Sequence, residues 1–187
     1  INPQTNMRVA TANKFVIKNL AINQTQDIQA SSIEVDQLSL ATDDLSQSLM
    51  GSRQMLIQDF QLQNLKDVDI NQIKLNGLTA QIDLDTQNEI ALLKKLTDSL
   101  PAKEENSTVK TNESTEPAQF HLTNLTISKN SHIKFSKETK QGSIKKDIHL
   151  DQVDIGELNS LYPNNATPIN LKATIDKFSA LSIKGNI

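Results

Sequence analysis

The stretch FVIKNLAI, Phe15 to Ile22, sets the reading of the whole chain. It runs apolar, any, apolar, polar, Asn or Asp, apolar, any, apolar, and the same form returns as MLIQDFQL (Met55 to Leu62) and FHLTNLTI (Phe120 to Ile127). With a looser polar position, further copies are IEVDQLSL (Ile33 to Leu40), VDINQIKL (Val68 to Leu75), IHLDQVDI (Ile148 to Ile155) and, weakly, ATIDKFSA (Ala173 to Ala180). Copies with Asn or Asp at the fifth position begin at 15, 55 and 120. Each is followed by one with Gln there, beginning at 33, 68 and 148. The order predicts pairs of outgoing and returning strands with loops of uneven length, a β-meander built by duplication rather than a solenoid of fixed period.

Alternation of apolar and other residues marks a strand with one buried face, but here the parity changes within the motif. Phe15 and Ile17 are odd, Leu20 and Ile22 even. A β-bulge at Lys18 and Asn19 absorbs one residue and returns all four apolar side chains to one face. The equivalent polar pairs are Asp36 and Gln37, Gln58 and Asp59, Asn71 and Gln72, Thr123 and Asn124, and Asp151 and Gln152. Bulges aligned across neighbouring strands bend a sheet along one line, giving either a trough with an apolar interior or a sheet that wraps a sandwich core.

One segment carries a helical period. In TQNEIALLKKLTDSLP, Thr86 and Glu89 form a capping-box signature, and Ile90, Leu93 and Leu96, or Leu92, Leu96 and Leu100, fall at helical spacing before Pro101. The spacing predicts an amphipathic helix at about 86–100, with a shorter helical turn in DDLSQSLM at 43–50. The apolar-poor stretch 101–119 reads as a mobile loop inserted within one sheet, so 1–187 forms a single β-rich segment.

At 187 residues the chain can hold one domain with a real core or two small ones. Its 36% apolar content and many amides and hydroxyls suit a structure with much surface relative to core. A net charge of −3 with mixed signs, five Phe and one Tyr leave neither the electrostatic footprint nor the stacking platforms of a nucleic-acid binder. The absence of cysteine excludes disulfides, thiol nucleophiles and thiolate metal sites. No run of about 18 apolar residues occurs, and a chain that opens at Ile1 without a signal-like segment reads as a piece of a longer protein.

No catalytic or metal-binding motif emerges. His121, His132 and His149 lack ligand spacing and read as exposed strand positions. Asp83 and Asp85 alternate with apolar residues as solvent-facing positions do, and Asp151 and Asp154 make no better acid/base pair. The five glycines never cluster into a phosphate loop. Sequons such as those at Asn23 and Asn124 follow from composition. No cofactor is expected.

FHLTNLTI after a polar linker, the short strand HIKFSKE at 132–138, the return IHLDQVDIGELN and a last strand closing in LSIKGNI together resemble the AsmA-like proteins, a group related to TamB and YhdP. HIKFSKE has Ser136 where many relatives carry Asp. The resemblance covers most of the chain and implies a curved, bulged antiparallel sheet forming an elongated trough with an apolar inner face. It also implies a location in the gram-negative periplasm, an inner-membrane anchor outside this chain, and a role in phospholipid transport or envelope maintenance, as in bridge-like lipid transfer proteins. The residues expected to line the groove are Ile17, Leu20 and Ile22 in the first copy, then Leu38 and Leu40, then Ile57, Phe60 and Leu62. Ile73 and Leu75 continue the set, followed by Leu122, Leu125 and Ile127, and by Ile148, Val153 and Ile155. The expected partners are phospholipid acyl chains. The alternative is a β-sandwich surface or adhesin-type module, which would bury both inner faces and bind through polar loops. A hydrolase is the third and remote reading.

Overall fold

A computed structural model describes residues 10–24, 27–41, 48–87, 89–90, 118–128 and 130–187. Twelve strands form one sheet: β1 (Ala10–Thr11), β2 (Lys14–Lys18), β3 (Ala21–Ile22), β4 (Ile28–Ala41), β5 (Ser48–Gln63), β6 (Asp67–Leu84), β7 (Phe120–Ile127), β8 (Ser131–Thr139), β9 (Gly142–Ile155), β10 (Leu158–Asn159), β11 (Pro168–Ile175) and β12 (Ser179–Asn186). The path across it is β1, β4, β5, β6, β7, β9, β11, β12. The short strands β2 and β3 share the β4 edge with β1, β8 bridges β6 and β9, and β10 pairs with β7. No helix and no second sheet occurs among the described residues.

The sheet is mixed, which corrects the antiparallel expectation. β6 runs parallel to both β7 and β8, while the other pairs are antiparallel. A parallel neighbour requires a crossover of a dozen or more residues, and the connection from Asp85 to Gln119 supplies that length.

The helix expectation meets a second correction at its start. Thr86 and Gln87 form a turn, and Ile90 makes an antiparallel bridge back to Leu84. Asp85 closes this turn: its Oδ1 accepts from the Gln87 and Glu89 amides at 2.8 and 2.9 Å, and its own amide donates to the Glu89 carbonyl. A short carboxylate that captures nearby amides offers the backbone an alternative to helix. Residues 91–100 and 101–117 of the expected helix and loop lie outside the described residues. Of the helical turn expected at 43–50, Ser48–Met50 are instead the start of β5.

Register aligns the copies across the sheet. The eight-residue copies stack position on position: Val68, Ile70, Ile73 and Leu75 of β6 face Phe120, Leu122, Leu125 and Ile127 of β7, and they face Leu62, Phe60, Ile57 and Met55 of β5. Apolar rows therefore cross the sheet at right angles to the strands. One row runs Ile17, Ile33, Ile57, Ile73, Leu125, Ile155, Ile169. Its neighbour runs Phe15, Val35, Met55, Leu75, Ile127, Val153, Leu171, Ile183.

Between rows the strands take either two residues or three. The three-residue steps fall on two lines. The first crosses Asn19, Ser31, Asp59 and Asn71, the second Gln37, Arg53 and Gly77, and these residues drop out of the otherwise continuous pairing. Asn19, Gln37, Asp59 and Gly77 hold the left-handed backbone, with φ of 51, 53, 52 and 63°. Because adjacent strands take the long step together, β4, β5 and β6 stay in register through both lines. The expected one-sided bulge occurs farther along, where Asp151 and Gln152 of β9 lie against β11 and the register shifts between Lys172 and Ala173.

Polar side chains tie the lines. Asn71 Nδ2 donates to Asp59 Oδ2 at 3.0 Å and Asn19 Nδ2 to Ser31 Oγ at 3.0 Å. On the second line, Ser52 Oγ donates to the Gln54 carbonyl at 2.8 Å, and Ser131 Oγ accepts from the Leu78 amide at 2.9 Å. Ser131, the first residue of β8, is buried. A Cβ added at Gly77 would sit 3.0 Å from Arg53 Cβ, and its φ already disfavours a side chain. We expect Gly77→Val to lower stability by about 1–3 kcal/mol and Gly77→Asn by less, since Asn tolerates the left-handed region. Urea midpoints of the two variants check this.

The core gathers around the second line: Leu75, Leu78, Leu150, Val153 and Ala173 are buried in one cluster, with Ile73, Leu125, Ile127, Ile148 and Ile155 packed partly against it.

Candidate functional site: the apolar rows of the sheet

Each residue expected to line a groove lies in or beside these rows. Ile17, Ile57, Ile73, Leu125 and Ile155 share one, and Leu75, Ile127 and Val153 the next. Ile22 and Leu62 pair with Ile28 in a third row, and Phe60 and Leu122 both face Ile70 in a fourth. Leu40 faces Met50 in the row that continues through Ala80, Ile133 and Ile148 to Ile175. Leu38 faces Ser52 beside it, and Leu20 stands in the gap between β2 and β3.

Burial separates these positions. Leu75, Leu122 and Val153 are buried, and most others are half-buried. At the β2–β3 edge the rows end in the open: Ile17 is 38% exposed, Leu20 52% and Ile22 65%. The row through Ile73 holds seven residues, and at about 4.8 Å per strand it extends on the order of 30 Å, comparable to the hydrocarbon thickness of a bilayer. It presents aliphatic side chains without a convergent charge.

Sequence reasoning missed the row members Ile28, Ala30, Leu78 and Ala80. Ile28, Ala30, Ile33 and Val35 form a further copy, IQASSIEV, across the first line, and Ile73, Leu75, Leu78 and Ala80 form another, IKLNGLTA, across the second. The signal that finds them is the same apolar spacing with Ser or Gly admitted at the polar pair.

The titratable groups lie elsewhere. His121, on β7 beside Asp69 of β6, holds Asp69 Oδ2 at 2.8 Å through Nδ1 and Glu157 Oε1 at 3.3 Å through Nε2. It is thus a half-buried tie between β6, β7 and the segment after β9, rather than a free surface position. The hydrogen bond to Asp69 raises its pKa above the ordinary 6.5, against a smaller opposing effect of burial, and the two carboxylate charges add to the rise. A raised folded-state pKa makes the charged form stabilising below the unfolded value, and that contribution is lost as pH climbs through the folded value. We expect wild-type stability to fall more than that of His121→Gln as pH rises from below the ordinary 6.5 through the raised folded-state value. Equal slopes in urea titrations would refute this.

His132 and His149 face each other on β8 and β9 with ring centroids 6.2 Å apart, and His149 Nε2 lies 3.5 Å from Asp147 Oδ2. Among the described residues no group of three or more His, Asp or Glu side chains is placed to hold a metal ion. No helix among them is long and apolar enough to cross a membrane. Comparison with known protein families found no family model that matches the chain, and comparison with curated proteins found no match.

Proposed function

We propose that this chain is a segment of an AsmA-like protein of the gram-negative periplasm, anchored to the inner membrane by a part outside it, and that phospholipid acyl chains move along its apolar rows. In this reading the two lines of three-residue steps bend the sheet into a trough and turn the rows to its inner face. The observation that carries it is the continuity of the rows: aliphatic residues stay in register across β2 through β11. A sandwich would need a second sheet against those rows, and the described strands all belong to one.

Physical chemistry supports weak, unselective holding. Burying an acyl methylene from water is worth about 0.8 kcal/mol, but tails arriving from a bilayer leave surroundings already as apolar as leucine. The exchange is close to neutral, and a nearly level path suits transport. No head-group site is then required.

Photo-crosslinking residues at Ile73 or Leu125, both on the long row, should capture phospholipid in cells carrying the full-length protein. At Lys74, which follows Ile73 and points to the other face, and at Lys18, exposed on the edge strand, capture should be absent. Equal labelling at both sets, or no lipid at either, would overturn the reading.

A further inference from the structure

We propose that the tip of the β8–β9 hairpin is a docking element for an anionic lipid surface. Among the described residues the hairpin outruns its neighbours on both sides. β6 ends at Leu84 opposite Lys137, and β11 ends at Ile175 opposite Ile148, with the Asp176 amide reaching only to the Asp147 carbonyl. From Glu138 to Lys145 the chain therefore projects as a two-stranded ribbon, closed by the pair Thr139 and Gly142.

The charge of this ribbon departs from that of the chain. Lys137, Lys140, Lys145 and Lys146 stand against the single acid Glu138, in a protein whose net charge is −3. Lys146 is held by Asp176 at the base, which leaves Lys137, Lys140 and Lys145 without a carboxylate partner among the described residues. Ile144, 49% exposed, pairs directly with Lys137 across the ribbon, while Lys145 stands on the opposite face and Lys140 in the closing turn. Ile144, Lys146, Ile148 and Leu150 alternate along β9 on one face, so the exposed isoleucine continues the side that packs into the core.

Lysines around a protruding aliphatic side chain match the interface of a bilayer: the ammonium groups meet anionic head groups while the isoleucine enters the acyl boundary. A polynucleotide fits less well. The ribbon carries no arginine for bidentate phosphate or base contacts, no aromatic lies between Ser136 and Asp147, and the acidic chain repels a long polyanion. The inference is independent of the trough.

Vesicle flotation of the whole chain tests it. Wild type should float with phosphatidylcholine vesicles containing roughly one-third phosphatidylglycerol and not with pure phosphatidylcholine, and binding should weaken as salt shortens the Debye length below about 10 Å. The triple variant Lys137→Glu, Lys140→Glu, Lys145→Glu should bind at least tenfold more weakly at an unchanged urea midpoint, and Ile144→Asp should also weaken binding, while three Lys→Arg replacements should retain it. Lys184→Glu, an exposed charge reversal on β12 away from the hairpin and outside the rows, should float like wild type. Equal binding to neutral vesicles, no loss in the triple variant, an equal loss in Lys184→Glu, or tighter binding to a DNA duplex than to the anionic vesicles would overturn the proposal.

Discussion

Leu150→Asp should unfold the sheet. Leu150 is 4% exposed and sits where β8, β9 and β11 meet, paired with Ser131 on one side and Ala173 on the other. Its side chain belongs to the cluster of Leu75, Leu78, Val153 and Ala173, which draws residues from β6, β9 and β11. Removing a buried leucine costs about 2–5 kcal/mol through lost transfer energy and the cavity left behind. A carboxylate put in its place finds no cation partner in that cluster and adds the penalty of burying or protonating it. Since a domain of this kind has about 5–15 kcal/mol of total stability, the variant should be mostly unfolded or melt far below wild type. Phe178→Asp is the comparison: Phe178 is 90% exposed in the β11–β12 turn, and its replacement should fall within about 0.5 kcal/mol of wild type. Denaturation followed by circular dichroism separates the two. A Leu150→Asp variant as stable as Phe178→Asp would mean that the cluster does not hold the sheet together.

The eight-residue pattern made much of this fold legible, for a physical reason. Apolar residues at the first, third, sixth and eighth positions fit neither a flat strand nor a helix, so a strand with a long step was the consistent answer, and Asn19 and Asp59 take it in the left-handed conformation that short amide and carboxylate side chains tolerate. Gln37 takes it too, without that chemistry, and no local hydrogen bond of its side chain accounts for it. Gly77 escaped notice because a pattern written around Asn, Asp and Gln leaves out the residue with the greatest freedom at positive φ. The manner of the step was also beyond local reading. A one-sided bulge and two matched long steps look identical in one strand and differ only in the partner, as β9 against β11 and β4 against β5 demonstrate.

Connection topology was less legible still. Nothing in VDINQIKL or FHLTNLTI distinguishes a parallel from an antiparallel neighbour, because both present the same apolar positions in the same order. At the start of the expected helix, Ile90 satisfied the helical period, yet Asp85 held the Gln87 and Glu89 amides and turned the chain back on Leu84. As for the site, the aliphatic residues could be named from sequence, but their assembly into continuous rows depends on cross-strand register. The role of His121 depends on Asp69 and Glu157, distant in sequence and brought beside it by the parallel pairing with β6 and the turn after β9.

The second large effect concerns transport. If acyl chains move along the rows as proposed, Leu125→Glu in the full-length protein should abolish lipid transfer while the protein still folds. Leu125 lies in mid-row, facing Ile73 on one side and Ile155 on the other, and is half-buried rather than sealed in the core. A glutamate there can lift its carboxylate toward solvent on a flexible stem, so the folding cost should stay well below that of Leu150→Asp. For an acyl chain passing along the row the same carboxylate is a barrier: the tail must strip water from a charge or force its protonation, at a cost of several kcal/mol. Each 1.4 kcal/mol of added barrier slows passage about tenfold, so even a partial penalty should reduce transfer by two orders of magnitude or more. Leu125→Met, which conserves volume and apolarity, should transfer like wild type and shows whether shape or charge is responsible. Lipid transfer between donor and acceptor membranes, measured beside the urea midpoint of each variant, decides the matter. Transfer preserved in a folded Leu125→Glu protein would remove the long row from the lipid's path, and equal loss in Leu125→Met would trace the effect to packing of the core.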